Sequence, residues 1–368
     1  MRDSATRREA LSALGTAITF GVAGCVSAPS PDADSGPQTL DDGELPDPTP
    51  ASERTGGEDG IYAEVYREAI DSVVLIRDRD PAGAQGSGFV YEGDYIVTNE
   101  HVVANVDGVR IQFSGDQWST GTVVGDDVYS DLAVIEAEET PEFATSLPLT
   151  DDDPVVGQEV MALGNPLGLD ASVSRGIISG VNRSLPSPTD FRIPNAIQTD
   201  ASVNQGNSGG PLVDLDADVV GVINAGGGEG IGFAISAALT RRVVPALIED
   251  GEFEHTYLGV LLTEVTPEIA EANDLERPTG VIVSEVLDDT PAEGVLQDSE
   301  EQTVDGVDLP VGGDVIVEID GEPIPTQEDL SRILALDADP GDTLEFTIVR
   351  DGELLAVEIT LDRRPDPR

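Results

Sequence analysis

The chain has 368 residues, of which 72 are acidic and 19 basic, for a formal charge of -53; the basic residues are all arginine and lysine is absent. That charge excludes a general phosphate-backbone binder, because both surfaces repel. It leaves either a disordered acidic chain or a folded protein working at high salt, where the Debye length falls to about 3 Å and self-repulsion is screened. The acids are interleaved with regular apolar segments such as VIVSEV (281–286) and DVIVEID (314–320), which favours a salt-adapted globular protein of two ordinary domains plus extras.

Residues 1–25 read as a targeting segment. Arg7 and Arg8 form an arginine pair, residues 10–24 carry no charge, and Cys25, the only cysteine, ends the run. VAGC (22–25) resembles the lipobox of exported lipoproteins, and TRREAL (6–11) resembles a loose twin-arginine signal without the bulky aromatic that often follows the pair. The resemblance implies export, lipidation of Cys25 and attachment to the outer face of the cytoplasmic membrane. The alternative is a plain signal, or a buried N-terminal helix with a passive cysteine. A single lipid chain holds a protein only marginally, so the anchor needs a diacyl group or several copies acting together. One cysteine cannot form a disulfide within the monomer.

Residues 26–60 hold nine acids, one arginine and six prolines without apolar periodicity, and read as an extended tether. IYAEVYREAI (61–70) has the spacing of a short amphipathic helix. Strand-like runs follow at 72–77, 86–91, 95–99, 109–113, 121–125, 132–137, 159–164, 218–223 and 231–235, separated by turn residues. Without a strand–helix–strand rhythm they predict an antiparallel barrel or sandwich. Residues 236–250 read as a closing helix, with Pro245 as a kink or stop.

A second, small α+β region starts near Tyr257. It holds strand patterns at YLGVLLTEV, VIVSEV and DVIVEIDG, helical patterns at 267–274 and 328–335, and a hairpin of TLEFTIV and LLAVEIT around Asp351–Gly352. An acidic interruption occupies 297–310. The boundaries expected are therefore a domain at 61–250 and another at 255–365.

Histidine is the scarce reagent, with two in the chain. His255, in GEFEHTY at the join, reads as structural or surface. His101 follows the strand YIVTN, and its ordinary pKa near neutral suits it to take a proton from a serine. Asp131, at the start of the strand LAVIEA, is a carboxylate able to orient that imidazole. Asp126 and Asp127 are weaker choices, since they follow Gly125 in an expected turn and read as solvated. Ser208 lies in NQGNSGGP (204–211), where glycines let backbone N–H groups approach one oxygen; Gly206 and Ser208, with Asn207 in the turn, are the candidate donors. The chain order His101, Asp131, Ser208 is the trypsin-like one.

The segments GSGFV (86–90), IVTNEHVV (96–103), SDLAVI (130–135), GQEVMALGNPLG (157–168), SRGIISGVNR (174–183), IQTDASVNQGNSGGPL (197–212) and GIGFAIS (230–236) together resemble the HtrA/Deg family of serine proteases, over roughly residues 61–365. The acidic composition is of haloarchaeal type. The resemblance implies a mainly β fold, a trypsin-like double β-barrel followed by a small α+β PDZ domain. It implies His101 as base, Asp131 as orienting acid, Ser208 as nucleophile, and an oxyanion hole of the Gly206, Asn207 and Ser208 N–H groups. Gln205 stands where the family motif commonly has proline, and 163–176 matches the loop that shapes the primary specificity site. The pocket walls GNPLGL and INAGGGEGIGFAI favour small or medium aliphatic residues, with Glu229 the one acid to weigh.

By the same resemblance Tyr257, Leu258, Gly259 and Val260 form the carboxylate-binding loop of a PDZ domain, and the adjoining strand receives a peptide by strand addition. The alternative role for that domain is a spacer supporting an oligomer. The family implies a homotrimer, with Tyr62 and Tyr66 as fitting contacts unless they simply pack on the barrel. Partners are then unfolded polypeptides, peptide C-termini and the membrane through its lipid; no nucleic acid, metal or organic cofactor is implied. The rival function is an exported chaperone or peptide receptor that rarely cuts.

Overall fold

The computed structural model describes residues 60–80, 83–104, 106, 108–164, 172–187, 189, 191–204, 206–228, 230–304 and 306–365. The export signal, Cys25, the tether up to 59, Gln205, Glu229 and the segment 165–171 lie outside them.

Helix α1 (Ile61–Ala69) opens the body and buries Val65 and Ala69. Six strands follow: β1 (Val73–Asp78), β2 (Gln85–Glu92), β3 (Tyr95–Thr98), β4 (Gly108–Gln112), β5 (Trp118–Asp127) and β6 (Leu132–Ala137), with the short helix α2 (Glu100–Val103) after β3. They close into a barrel in the order β1-β2-β3-β6-β5-β4. The next six, β7 (Glu159–Gly164), β8 (Ser172–Pro186), β9 (Arg192–Thr199), β10 (Pro211–Val213), β11 (Val219–Gly228) and β12 (Ile231–Ser236), close in the order β10-β11-β12-β9-β8-β7. Closure removes free edges, the usual hazard of short antiparallel strands.

The side-chain period of two divides each strand between two cores. Val74, Ile76, Ile96, Ile111 and Ile135 fill the first barrel, and Val160, Ala162, Ile197, Ile223 and Ala234 the second. The alternate residues Val73, Phe89, Val97, Leu132 and Val134 join Met161, Leu163, Val222 and Ile235 in one cluster drawn from both barrels. Helix α3 (Ala237–Glu249) lays Leu239, Val243, Val244 and Leu247 into that cluster, and the Ser236 hydroxyl caps it by accepting the Leu239 N–H. The helix runs through Pro245 rather than stopping there. Burial of Val244 and Leu247 on either side outweighs the lost backbone bond.

Strands β8 and β9 have no counterpart among the runs read from the sequence. SVSRGIISGVNRSLP is rich in glycine, serine and arginine and is largely exposed on alternate positions. Pairing with β7 on one side and β9 on the other makes it a strand.

The α+β region comprises β13 (Thr256–Tyr257), β14 (Val260–Glu264), α4 (Pro267–Ala272), β15 (Val281–Val286), β16 (Glu300–Val304), β17 (Val307–Val311), β18 (Val315–Ile319), β19 (Glu322–Pro323), α5 (Gln327–Leu336), β20 (Thr343–Arg350), β21 (Glu353–Thr360) and β22 (Asp362–Arg363). The sheet order is β14-β15-β18-β20-β21, so β14 lies at an edge. Val281, Val283, Ile316, Leu330, Ile333, Phe346 and Ile348 form its core. The acidic interruption is not a plain loop: it forms the separate hairpin β16–β17, held by Asn273, which donates to the Pro310 carbonyl and accepts from the Gly312 N–H. The region rests against the barrels. Asn182 Nδ2 donates to Asp329 Oδ1 at 2.8 Å, and the Arg364 guanidinium stacks 4.4 Å from the Phe191 ring.

Candidate active site

Strand β3 ends at Thr98, and Asn99 turns the chain into α2, which presents His101. On the neighbouring connection, residues 128–131 turn between β5 and β6, and Asp131 takes a left-handed conformation (φ 54°). Aspartate tolerates that region better than most residues, because its short side chain bonds locally. The two side chains meet: His101 Nδ1 lies 2.8 Å from Asp131 Oδ2 and 3.0 Å from Oδ1, and the His101 backbone N–H donates to Oδ1 at 3.0 Å. With Nδ1 committed as donor, the neutral ring keeps Nε2 as its acceptor. The hydrogen bond to Asp131 raises the His101 pKa above its ordinary 6.5, burial opposes the rise, and the charges of Asp131 and Glu100 add to it. Glu100 is itself pushed up, first by burial and then by the Asp131 charge.

Asp131 is anchored from two further directions. Asn99 Nδ2 donates to its carbonyl at 2.9 Å, and Asn224 Nδ2 donates to Oδ2 at 2.5 Å. The backbone carbonyl of the same Asn224 accepts the Ser208 hydroxyl at 2.6 Å. Asn224 therefore links the carboxylate to the serine, and it escaped the sequence reading. Its one signal is an amide that breaks the apolar run DVVGVI as β11 leaves the core. Ser208 makes its hydrogen bond to Asn224 and none to His101 among the described residues. Such contacts commonly tighten only once substrate is bound.

The serine turn is clamped by the first barrel. The Ser87 N–H donates to the Ser208 carbonyl at 2.8 Å, and Ser87 Oγ to the Gly206 carbonyl at 2.6 Å. Gly209 has φ 84°, and a Cβ there would lie 2.2 Å from the Ser87 carbonyl oxygen. Only glycine fits on both counts. The Asn207 N–H donates within the turn to the Asn204 carbonyl at 3.0 Å, and those of Gly209 and Gly210 donate to Ile223 and Asn207. The Gly206 and Ser208 N–H groups have no acceptor among the described residues.

Asp127 corrects one expectation. It is buried rather than solvated, because β5 continues through it, while Asp126 beside it is exposed. Its Oδ2 lies 2.7 Å from His255 Nε2, and Ser130 and Tyr129 donate to it through their N–H groups. Burial pushes the Asp127 carboxyl up, but the hydrogen bonds from His255, Ser130 and Tyr129 together hold it below the ordinary value. His255 is buried edge-on against Tyr129 and Phe253, with ring centres at 5.3 and 4.8 Å.

A trypsin-like peptidase model matches residues 86–222, and a PDZ model matches 256–361. The chain is 35% identical over 319 residues to a probable periplasmic serine endoprotease, DegP-like, of Ectopseudomonas mendocina, covering 82% of this chain and 62% of that one. It thus spans about three fifths of the length of that relative. The solved HtrA-type protease AlgW with a tripeptide superposes with a TM-score of 0.69 at 30% identity, over 83% of this chain and 98% of that chain. The serine endoprotease of Yersinia pestis superposes with a TM-score of 0.59 at 30% identity, with the same shares. The chain belongs to the HtrA/DegP-like family of trypsin-type serine proteases. The segment of this HtrA-type chain that matches the peptidase model contains His101, Asp131 and Ser208.

In the PDZ region of this HtrA-type chain, Tyr257–Val260 leads into β14 and forms one end of a cavity of about 290 Å³ between β14 and α5. Gly259 has φ 81°, and its carbonyl accepts the Thr290 hydroxyl at 3.3 Å. Tyr62 and Tyr66 pack against the shared barrel core, and the Tyr62 hydroxyl bonds Glu159 while Arg175 lies 4.8 Å from its ring.

Proposed function

We propose that the protein is a serine endopeptidase that cleaves unfolded or damaged exported polypeptides through an acyl-enzyme. The observation carrying this reading is the His101–Asp131 pair at 2.8 Å, joined through Asn224 to a serine turn clamped by Ser87. Ser208 Oγ leaves the Asn224 carbonyl, gives its proton to His101 Nε2 and bonds to the scissile carbonyl carbon. The oxyanion forms against the Gly206 and Ser208 N–H groups; the Asn207 N–H stays in its turn, so two donors rather than three serve here. Such donors contribute several kcal/mol, about 3–4 each in typical enzymes. His101 then protonates the leaving amine as the C–N bond breaks. Water, deprotonated by the same imidazole, releases the acid and restores Ser208.

The PDZ region captures peptide C-termini for this site through Tyr257, Leu258, Gly259 and Val260. The exposed apolar side chains Ile61, Val155, Val156, Val173 and Ile177 near Tyr62 and Glu159 support a homotrimer joined through this face. Export, a lipid on Cys25 and work in high salt complete the reading, carried by the signal segment and the charge of -53.

Casein digestion in molar salt tests the central claim. Ser208→Ala is expected to lower cleavage by at least about 10³-fold; equal residual cleavage by both proteins would overturn the assignment. Cys25→Ser is expected to move the protein from the membrane to the soluble fraction, and light scattering on that soluble form is expected to give three copies. Unchanged membrane partition ends the anchor reading, and a monomer ends the trimer.

A further inference from the structure

The groove between β14 and α5 is not built by the PDZ region alone. Besides apolar walls such as Leu262, Leu330 and Leu334, its lining includes Phe191 and Arg192 at the start of β9 and Arg364 after β22. Among the described residues no aspartate or glutamate lines it; the charged side chains there are Arg192 and Arg364. In a chain with 72 acids and 19 arginines, a groove whose described lining has two arginines and no acid runs against the composition.

Neither arginine has a carboxylate partner among the described residues. Arg192 donates from Nη2 to the Ser184 carbonyl at 2.9 Å. Arg364 donates weakly to the Thr256 carbonyl at 3.4 Å, and its guanidinium lies 4.4 Å from the Phe191 ring centre and 5.0 Å from that of Tyr129. Its Nε is buried without an acceptor. By contrast Arg241, Arg242, Arg332, Arg350 and Arg363 each contact a carboxylate. Burial lowers the Arg364 pKa, and the Asp127 charge, which makes no contact with it, offsets this only in part; an anion supplied by a ligand relieves such a cost further. The Phe191 and Tyr257 rings meet at 6.2 Å, so Arg364, stacked on Phe191, lies towards the Tyr257 end of the groove, while Arg192 lines it beside Ser184.

We propose that Arg192 of the second barrel and Arg364 of the C-terminal tail select polypeptide C-termini carrying an acidic side chain within their last few residues. This rests on the peptide-capture reading of the PDZ region. The edge position of β14 offers backbone pairing to an extended chain, and the leucine walls take its apolar side chains. A free inorganic anion would use neither. The arginines add a charge requirement, and they come from outside the sheet that pairs the peptide. Ligand choice is therefore shared between the barrel and the PDZ region.

The test is fluorescence anisotropy with full-length Ser208→Ala protein, so that no peptide is cut. A labelled decapeptide with a free apolar C-terminus and two glutamates among its last four residues is compared with its glutamine twin at several salt concentrations. The acidic peptide is expected to bind about tenfold more tightly at the lowest salt that keeps the protein folded, with the advantage shrinking as salt rises. Arg192→Gln is expected to cut that ratio to about twofold while leaving the glutamine peptide unchanged. Arg364→Lys, which keeps charge but loses the flat stack, is the second arm, with its melting temperature as a folding control. Equal affinity for the two peptides, or an unchanged ratio in Arg192→Gln, overturns the charge selection and leaves peptide capture standing. Failure of both peptides to bind overturns capture and the selection with it.

Discussion

Two histidine–aspartate pairs hang from the ends of one connection, residues 127–131, and differ in solvent access. The His101 side chain is 43% exposed above an Asp131 that is 8% exposed, whereas His255 and Asp127 are 5% and 4% exposed. Both pairs close at under 3 Å, at 2.8 and 2.7 Å. The chemistry of the partners does not distinguish the two pairs; the free face of the imidazole does. In the proposed mechanism His101 keeps one ring nitrogen for a proton arriving from outside. His255 has aromatic rings against it and ties the segment leading into the PDZ region to the turn that carries Asp131. Asp127 receives four donors from three residues, which is how a buried carboxylate stays charged.

The largest effect expected from breaking this contrast is at the exposed pair. Asp131→Asn replaces an acceptor-only carboxylate with an amide that can donate to Nδ1 and favour the wrong tautomer, and is expected to lower kcat by about 10⁴-fold while the fold persists. The pH profile sharpens the point. Because Asp131 raises the His101 pKa above 6.5, and only the neutral ring accepts the serine proton, kcat/KM should fall as pH drops through a midpoint above 6.5. In Asp131→Asn that midpoint should move down; an unchanged acid limb would mean that His101 is not the titrating base.

At the buried pair the expected loss is stability. Asp127→Asn replaces the buried carboxylate that accepts from His255, Ser130 and Tyr129 and should cost about 2–3 kcal/mol in denaturant unfolding. The folded fraction should cut within a few-fold of the wild type. Because the folded-state pKa of Asp127 is lowered, its contribution is present above the ordinary carboxylate value and is lost as pH falls through the lowered one. The smallest effect belongs to His255→Gln, which keeps one donor to Asp127 and should cost about 1–2 kcal/mol. If Asp127→Asn abolished cleavage with no change in stability, the division into base and strut would be wrong.

Much of the proposed site could be put forward from the sequence because it uses rare or constrained residues. His101 is one of two histidines, Asp131 begins an apolar strand, and Ser208 lies in a turn whose Gly209 admits no side chain. Asn224, Ser87 and Asn99 carry no such mark. Each is a common polar residue beside an apolar run, and its importance comes from a partner 11 to 119 positions away. Asp127 was misjudged for the same reason, since the sequence shows a glycine and two aspartates in a row but not the histidine 128 positions on that hydrogen-bonds one of them.

From the amino-acid order alone came the class of the fold, two regions of strand-rich and α+β character, and the chemistry of a serine, a histidine and a carboxylate. Those follow from local periodicity and residue type, which act over a few neighbours. The tertiary structure alone decided which aspartate is buried, that β8 is a strand, that the acidic insertion is a hairpin, and that two arginines from different parts of the chain meet in one groove. These depend on closure of the barrels and on how the PDZ region seats against them. Long-range packing sets which charges lose water, and a charge out of water must find a partner or wait for one.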